Sequence, residues 1–158
     1  MKLEMEDRIG LTEHSDDETD EALINDIHPE DLAGQVSQVL HQSYLAEMDC
    51  AEQWPTSGTI YGLKRRCMIC LALYMHGTAR AVHFLVDTTS SLTTLALGVF
   101  QAFGVPHWDI CNVNLKVNGV VMRPAVTSDV RAVGLNILGQ DFMERAPARL
   151  DVRYAAGV

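Results

Sequence analysis

Asp87-Thr88-Thr89-Ser90 sets a carboxylate and three hydroxyl side chains directly after the apolar run Phe84-Leu85-Val86. A strand that buries those three residues carries Asp87 to the edge of the core. A carboxylate there is solvated, hydrogen-bonded by nearby hydroxyls and amides, or used as an acid or base. Taken alone, this is the ordinary end of a strand at an Asp that starts a turn. A second segment about fifty residues on, Leu135-Asn136-Ile137-Leu138-Gly139-Gln140-Asp141-Phe142, changes that reading. It is a short apolar run closed by a glycine, and an acid opens the helix that follows. Asp141 reads as structural, since a carboxylate is favoured near the amide end of a helix.

The other candidate groups carry less. Cys67-Met68-Ile69-Cys70 has CxxC spacing, but it falls in a run that reads as a strand, where positions i and i+3 face opposite sides. No second CxxC or His pair stands at ligand spacing, so no metal or cofactor is expected. His76, His83 and His107 are scattered through turns and strands and read as satisfied or solvated. Lys64-Arg65-Arg66 reads as a solvated basic turn.

The elements that must position these residues follow from composition and period. The chain has 158 residues, 47% of them hydrophobic, and a net charge of −9, which argues against a nucleic-acid surface. Residues 1–57 hold fifteen Asp and Glu against Lys2 and Arg8, whereas residues 58–158 hold six against ten Lys and Arg. No apolar run approaches the ~18 residues that span a bilayer, and no signal-peptide pattern opens the chain, so a cytoplasmic or otherwise intracellular protein with reduced cysteines is expected.

Three regions result. Residues 1–29, with Glu13-His14-Ser15-Asp16-Asp17-Glu18, are expected to be an acidic disordered tail. Residues 30–57 are expected to be an amphipathic helix over about 30–48, carried by Leu32, Val36, Val39, Leu40 and Tyr44, then a linker at Trp54-Pro55-Thr56-Ser57-Gly58. Residues 58–158 are mainly β: strands at 67–75 and 81–86, a helical face over Leu92–Phe103, a strand at 113–117, the Asn118-Gly119 hairpin turn, and a returning strand at 120–126. A short helix at 140–145 and a last strand at 150–154 complete the domain.

In this order, the two motifs resemble the retropepsins, the aspartic proteases of retroviral and retrotransposon type and their cellular DNA-damage-inducible relatives. That family has an acid-Thr-Gly-Ala/Ser turn after an apolar strand and a later Asn-Ile-Leu-Gly strand leading into a short helix. The likeness covers roughly Leu63 to Tyr154. It implies a closed β-barrel of acid-protease type as a half-unit, and a homodimer in which two Asp87 carboxyls meet across a two-fold axis. Such carboxyls cannot both ionise cheaply, so the pair shares a proton, activates a water and polarises the scissile carbonyl. Thr88 would tie the two turns together, with Thr89 and Ser90 completing them. Leu138 and Gly139 would pack beside the turn, and the last strand would add to a dimer sheet. An extended peptide would be the substrate, bound as an added strand.

The chain departs from the family in two places. Thr89 stands where the family has glycine, and a β-branched residue is strained wherever the backbone is left-handed. The stretch from Ser91 to Asn112 is short for a family that places a glycine-rich flap hairpin there. Three readings follow: an aspartic endopeptidase of reduced activity, an inactive pseudo-protease kept as a dimerisation or protein-binding module, and a plain β domain in which Asp87 only begins a turn.

Overall fold

In the computed structural model, the described residues are 2–7, 26–54, 56–123, 125–127, 134–147 and 149–152. The centre is a hairpin of two long strands, β4 (Arg66–Met75) and β5 (Thr78–Val86), named with the other strands in chain order. His76 (φ 50°) and Gly77 (φ 80°) make its two-residue turn, the positive φ values matching the twist of the strands they join. Both strands are long enough to serve two neighbours on one edge. On β4, residues 66–69 pair with β3 (Ser57–Tyr61), and residues 73–75 pair with β6 (Leu115–Val117). On β5, residues 79–80 pair with β2 (Glu47–Met48), and residues 85–86 pair in parallel with β8 (Ile137–Leu138).

The remaining strands extend this sheet. β7 (Val120–Met122) returns from β6 through Asn118 (φ 46°) and Gly119 (φ 85°), the expected hairpin. β1 (Lys2–Asp7) runs parallel to both β3 and β9 (Arg149–Val152) and lies between them. The fold is therefore mainly β, with short helices. The main path, β2-β5-β4-β3-β1-β9, has two ends, and no pairing among the described residues joins them. The expected closure into a barrel is not present in this path: closure needs every strand bonded on both edges, and among the described residues the end strands β2 and β9 each pair with a single neighbour. Among the described residues, no helix is long and apolar enough to cross a membrane.

Each face of the β4–β5 hairpin carries its own core, as the period of two requires. Ile69, Leu71, Leu73, Met75, Val82 and Phe84 pack with Val99 and Phe100 of α3 (Leu97–Ala102), with the β6–β7 hairpin and with Phe142 of α4 (Gln140–Arg145). On the opposite face Met68 and Leu85 pack with Ile27, Leu32, Val36, Tyr61, Leu135 and Ile137. The fully buried Leu32 and Val36 each contribute about 1.5–3 kcal/mol by leaving water.

The helix expected over 30–48 is two shorter ones, α1 (Pro29–Ala33) and α2 (Gln35–Leu40). Gly34, at φ −93° and ψ −109°, breaks the line between them, and His41 ends α2 in the left-handed region at φ 54°. The linker expected at 54–58 is tied down: the Asn118 side chain pairs with both the amide and the carbonyl of Gln53, and Thr56 Oγ1 donates to the Cys70 carbonyl. Of the acidic tail expected at 1–29, residues 2–7 are strand β1, whose alternation of Leu3 and Met5 with Lys2, Glu4 and Glu6 was the signal for it. Residues 8–25 lie outside the described residues.

His83 sits on β5 beneath this helical layer, fully buried. Its Nδ1 donates to the Leu32 carbonyl at 2.9 Å, its ring lies 5.2 Å from that of Tyr44, and its Nε2 makes no well-formed hydrogen bond among the described residues. Burial holds its pKa below the ordinary 6.5; the Leu32 and Gln42 backbones only partly oppose this. The folded state thus keeps His83 neutral, while the unfolded chain takes up a proton below about pH 6.5. Stability is then greatest above that pH and falls as the pH drops toward the folded pKa, by up to about 1.4 kcal/mol per pH unit. Denaturant titrations between pH 5 and 7.5 should show a steeper acid loss in the wild type than in His83→Phe. Parallel curves would contradict the neutral buried imidazole.

Candidate active site at the Asp87 turn

β5 delivers Asp87 half-buried at its C-terminal end, and the chain turns over the next three residues. The Ser90 amide donates to the Asp87 carbonyl at 3.2 Å. Asp87 Oδ1 accepts from the Thr89 amide at 2.9 Å and from the Thr89 hydroxyl at 2.6 Å. This is an Asx turn reinforced by a side chain. Thr89 is not among the residues with positive φ, so its branched side chain meets no left-handed strain. Its hydroxyl instead adds a donor to Asp87 that glycine would lack. Thr88 is exposed, and its hydroxyl makes no hydrogen bond to the described residues; its carbonyl accepts from Gln140 Nε2 at 2.7 Å. Ser90 Oγ donates to the Leu92 carbonyl.

The turn is held by a strand that passes between its two arms. Leu85 and Val86 of β5 pair with Ile137 and Leu138 on one side, and Thr94 pairs with Ile137 on the other. The Asp87 amide donates to the Leu138 carbonyl at 3.1 Å, and Thr94 and Ile137 exchange both backbone bonds at 2.9 Å. Leu138 is fully buried. The chain then leaves through a narrow place. A Cβ built on Gly139 would lie 2.5 Å from both the Leu92 carbonyl carbon and its oxygen. The backbone of Gly139 is extended, so glycine is required here by close approach and not by an unusual φ.

Asn136 anchors the same strand from below. It is buried; its Oδ1 accepts the Ala96 amide, and its Nδ2 donates to the His83 carbonyl and the Tyr44 hydroxyl. A polar residue inside an otherwise apolar run was the available signal for this role. Beyond the glycine, the Gln140 amide donates to the Ser90 carbonyl and the Asp141 amide to the Ser91 carbonyl. Asp141 Oδ1 accepts from the amide and hydroxyl of Thr93, both at 2.7 Å, and from the Phe142 amide at 2.8 Å. Sequence reasoning assigned Asp141 to its own helix and missed Thr93, its partner across 48 residues.

These placements bound the chemistry. Asp87 Oδ1 is occupied by Thr89, while Oδ2 has no donor among the described residues. Asp141 is committed to three donors through one oxygen. A paired-acid mechanism therefore draws its second carboxylate from outside this turn. The stretch between the Asp87 turn and β6, where the resemblance places a flap, holds the Thr94 and Leu95 bridges, α3 and a 3-10 turn at His107–Asn112. The expected helix is shortened to Leu97–Ala102 because Thr94 and Leu95 are bound to Ile137 and Val126. The β6–β7 hairpin pairs with β4. Cys67 and Cys70 are free, half-buried thiols whose pKa values are pushed up by burial, that of Cys70 to about 12. They do not supply a thiolate near neutral pH.

Two substitutions check this geometry. Gly139→Ala forces a methyl group against the Leu92 backbone and should cost about 3 kcal/mol in urea unfolding; an unchanged midpoint would show that the approach is looser. Thr89→Gly should lower stability by about 0.5–1 kcal/mol, since it removes a hydrogen bond and frees the backbone. A gain in stability would reveal strain at Thr89. Compared with protein-family models, with curated proteins and with solved structures, the chain matches none.

Proposed function

We propose that this chain is a retropepsin-type aspartic endopeptidase that works as a homodimer on extended peptides. The observation that carries the proposal is the threaded turn: Asp87 leaves β5 in an Asx turn while Ile137-Leu138 runs between the arms of that turn and Gly139 fits against Leu92. This is a way of holding one carboxylate in place at the end of a strand, with one oxygen fixed by Thr89 and the other without a donor among the described residues. A second copy related by a two-fold axis would bring a second such oxygen to meet it.

In the paired state one Asp87 is ionised and its counterpart is protonated. The ionised carboxylate takes a proton from water as the water oxygen attacks the scissile carbonyl carbon. The protonated one donates to the carbonyl oxygen, which gives a neutral tetrahedral diol. On collapse one diol hydroxyl returns its proton to the carboxylate that had protonated the carbonyl oxygen, the C–N bond breaks, and the carboxyl that took its proton from water gives it to the departing amine. Leu138 and Gly139 fix the turn from beneath, and Thr89 orients the carboxylate. The acid-protease barrel and the dimer sheet belong to the same proposal.

One pair of observations favours the second reading, an inactive relative kept as a binding module. The Thr89 hydroxyl lies 2.6 Å from Asp87 Oδ1, and among the described residues no hairpin stands between the turn and β6 to cover a substrate. The deciding experiment is peptide cleavage by the full chain at pH 4–6 against a broad library of extended peptides, with sedimentation to follow the dimer. The expected result is cleavage that Asp87→Asn reduces by about a thousandfold or more. Cleavage indifferent to Asp87→Asn would displace the site. A well-folded dimer that cuts nothing leaves the binding module, and a chain that stays monomeric at all concentrations leaves the plain β domain.

A further inference from the structure

We infer that Asp141 is a positioning residue for the Asp87 turn, acting through Thr93 as one half of a reciprocal clamp. The inference rests on the protease reading for its consequence in catalysis, but its geometry stands on the contacts alone. An acid that serves only its own helix bonds to that helix's amides. Asp141 does this once, to Phe142; its other two donors are the amide and hydroxyl of Thr93, on the segment that leaves the turn. Thr93 is buried, and the same hydroxyl that donates to Asp141 accepts the Gly139 amide at 3.0 Å. The carboxylate thereby sets the direction of the Thr93 hydroxyl and leaves its lone pair for Gly139.

The clamp closes from the other direction as well. The Gln140 amide and side chain reach the carbonyls of Ser90 and Thr88, and the Asp141 amide reaches that of Ser91. Residues 88–91 therefore hang from the first two residues of α4, while Thr93 is fastened to Asp141. These contacts lie at the one place where Gly139 passes Leu92 without room for a Cβ. Any release of Thr93 lets that passage widen, and the Thr89 amide that holds Asp87 moves with it. Asn at position 141 retains an acceptor oxygen; Ala does not. Val at position 93 keeps the shape of Thr but leaves the Gly139 amide without its acceptor.

The test uses the isotopically labelled full chain and compares amide resonances and hydrogen exchange in Asp141→Ala, Asp141→Asn and Thr93→Val. In Asp141→Ala and Thr93→Val the Gly139 and Thr89 amides should shift together, and Gly139 should exchange about tenfold faster, with Leu71 and Val82 in the central hairpin unchanged. Asp141→Asn should stay close to wild type, and joining Asp141→Ala to Thr93→Val should add little. If Asp141→Ala does not fold, Thr93→Val carries the comparison. Wild-type Gly139 and Thr89 resonances in a variant that only melts earlier would overturn the clamp, as would equal acceleration at Leu71 and Val82. In the cleavage assay, Asp141→Ala should lower kcat about tenfold with KM held within about twofold, and Asp141→Asn should recover it. A wild-type chain that cleaves nothing removes the protease reading, and the amide comparison then decides the clamp by itself.

Discussion

The constraint on which the rest depends is the passage of Ile137-Leu138 between the end of β5 and Thr94. Two backbones already joined by a tight turn cannot also pair with each other once a third runs between them. Each arm must instead satisfy its amides and carbonyls on the inserted strand, and it does so through Leu85, Asp87 and Thr94. Buried backbone groups left unpaired there would be costly. The insertion therefore determines which atoms of the turn are free. It also forces Gly139 against Leu92, because the inserted strand has to leave between segments already in contact. The positions of Asp87 and Thr89 are consequences of that passage.

The same strand couples the two faces of the sheet. Asn136 is its buried polar member, and its side chain bonds the Ala96 amide toward α3 and the Tyr44 hydroxyl toward the helical layer. Tyr44 packs its ring at a tilt against His83, and His83 holds the end of α1 through the Leu32 carbonyl. Burial raises the Tyr44 pKa as it lowers that of His83, so both enter the fold uncharged. The α1–α2 layer, which contributes apolar cover on Leu85 and Met68, is thus also linked by polar contacts to the base of the Asp87 turn. Loosening of that layer reaches the turn through two hydrogen bonds of Asn136.

Much of this was legible because it is local. The hairpin strands announced themselves by composition and by their turn residues, and Asn118-Gly119 and the helix at 140–145 fell where spacing placed them. What failed to show depends on distant partners. The helical pattern at 30–48 continues through Gly34, but nothing in the pattern records that the backbone bends there. Leu3 and Met5 lie in an acidic region whose net charge masks their alternation of period two, and the partners that make a strand of it, β3 and β9, are distant in sequence. Thr89 is a different case: the Asp87 side chain that caps the turn is only two residues away, and the sequence does not show that this cap leaves Thr89 outside the left-handed region. Asp141 looked sufficient as a helix acid because Thr93 lies 48 residues away.

On the proposed reading, Thr89 sharpens what a second copy must accomplish. Two carboxyls that share a proton need an oxygen from each within hydrogen-bond reach. In this chain Oδ1 of Asp87 already accepts two donors from Thr89, one of them a hydroxyl at 2.6 Å. A hydroxyl is both donor and acceptor, so it need not be lost when a partner approaches. It can keep donating to Oδ1 while Oδ2 meets the partner. Alternatively it rotates, and Oδ1 is released to the partner at the expense of one hydrogen bond. The two arrangements differ in which oxygen faces the scissile bond, and therefore in where a water would sit. Glycine at this position would offer no such choice. On that reading, the residue that departs from the retropepsin pattern would be the one through which the geometry of a paired site is settled.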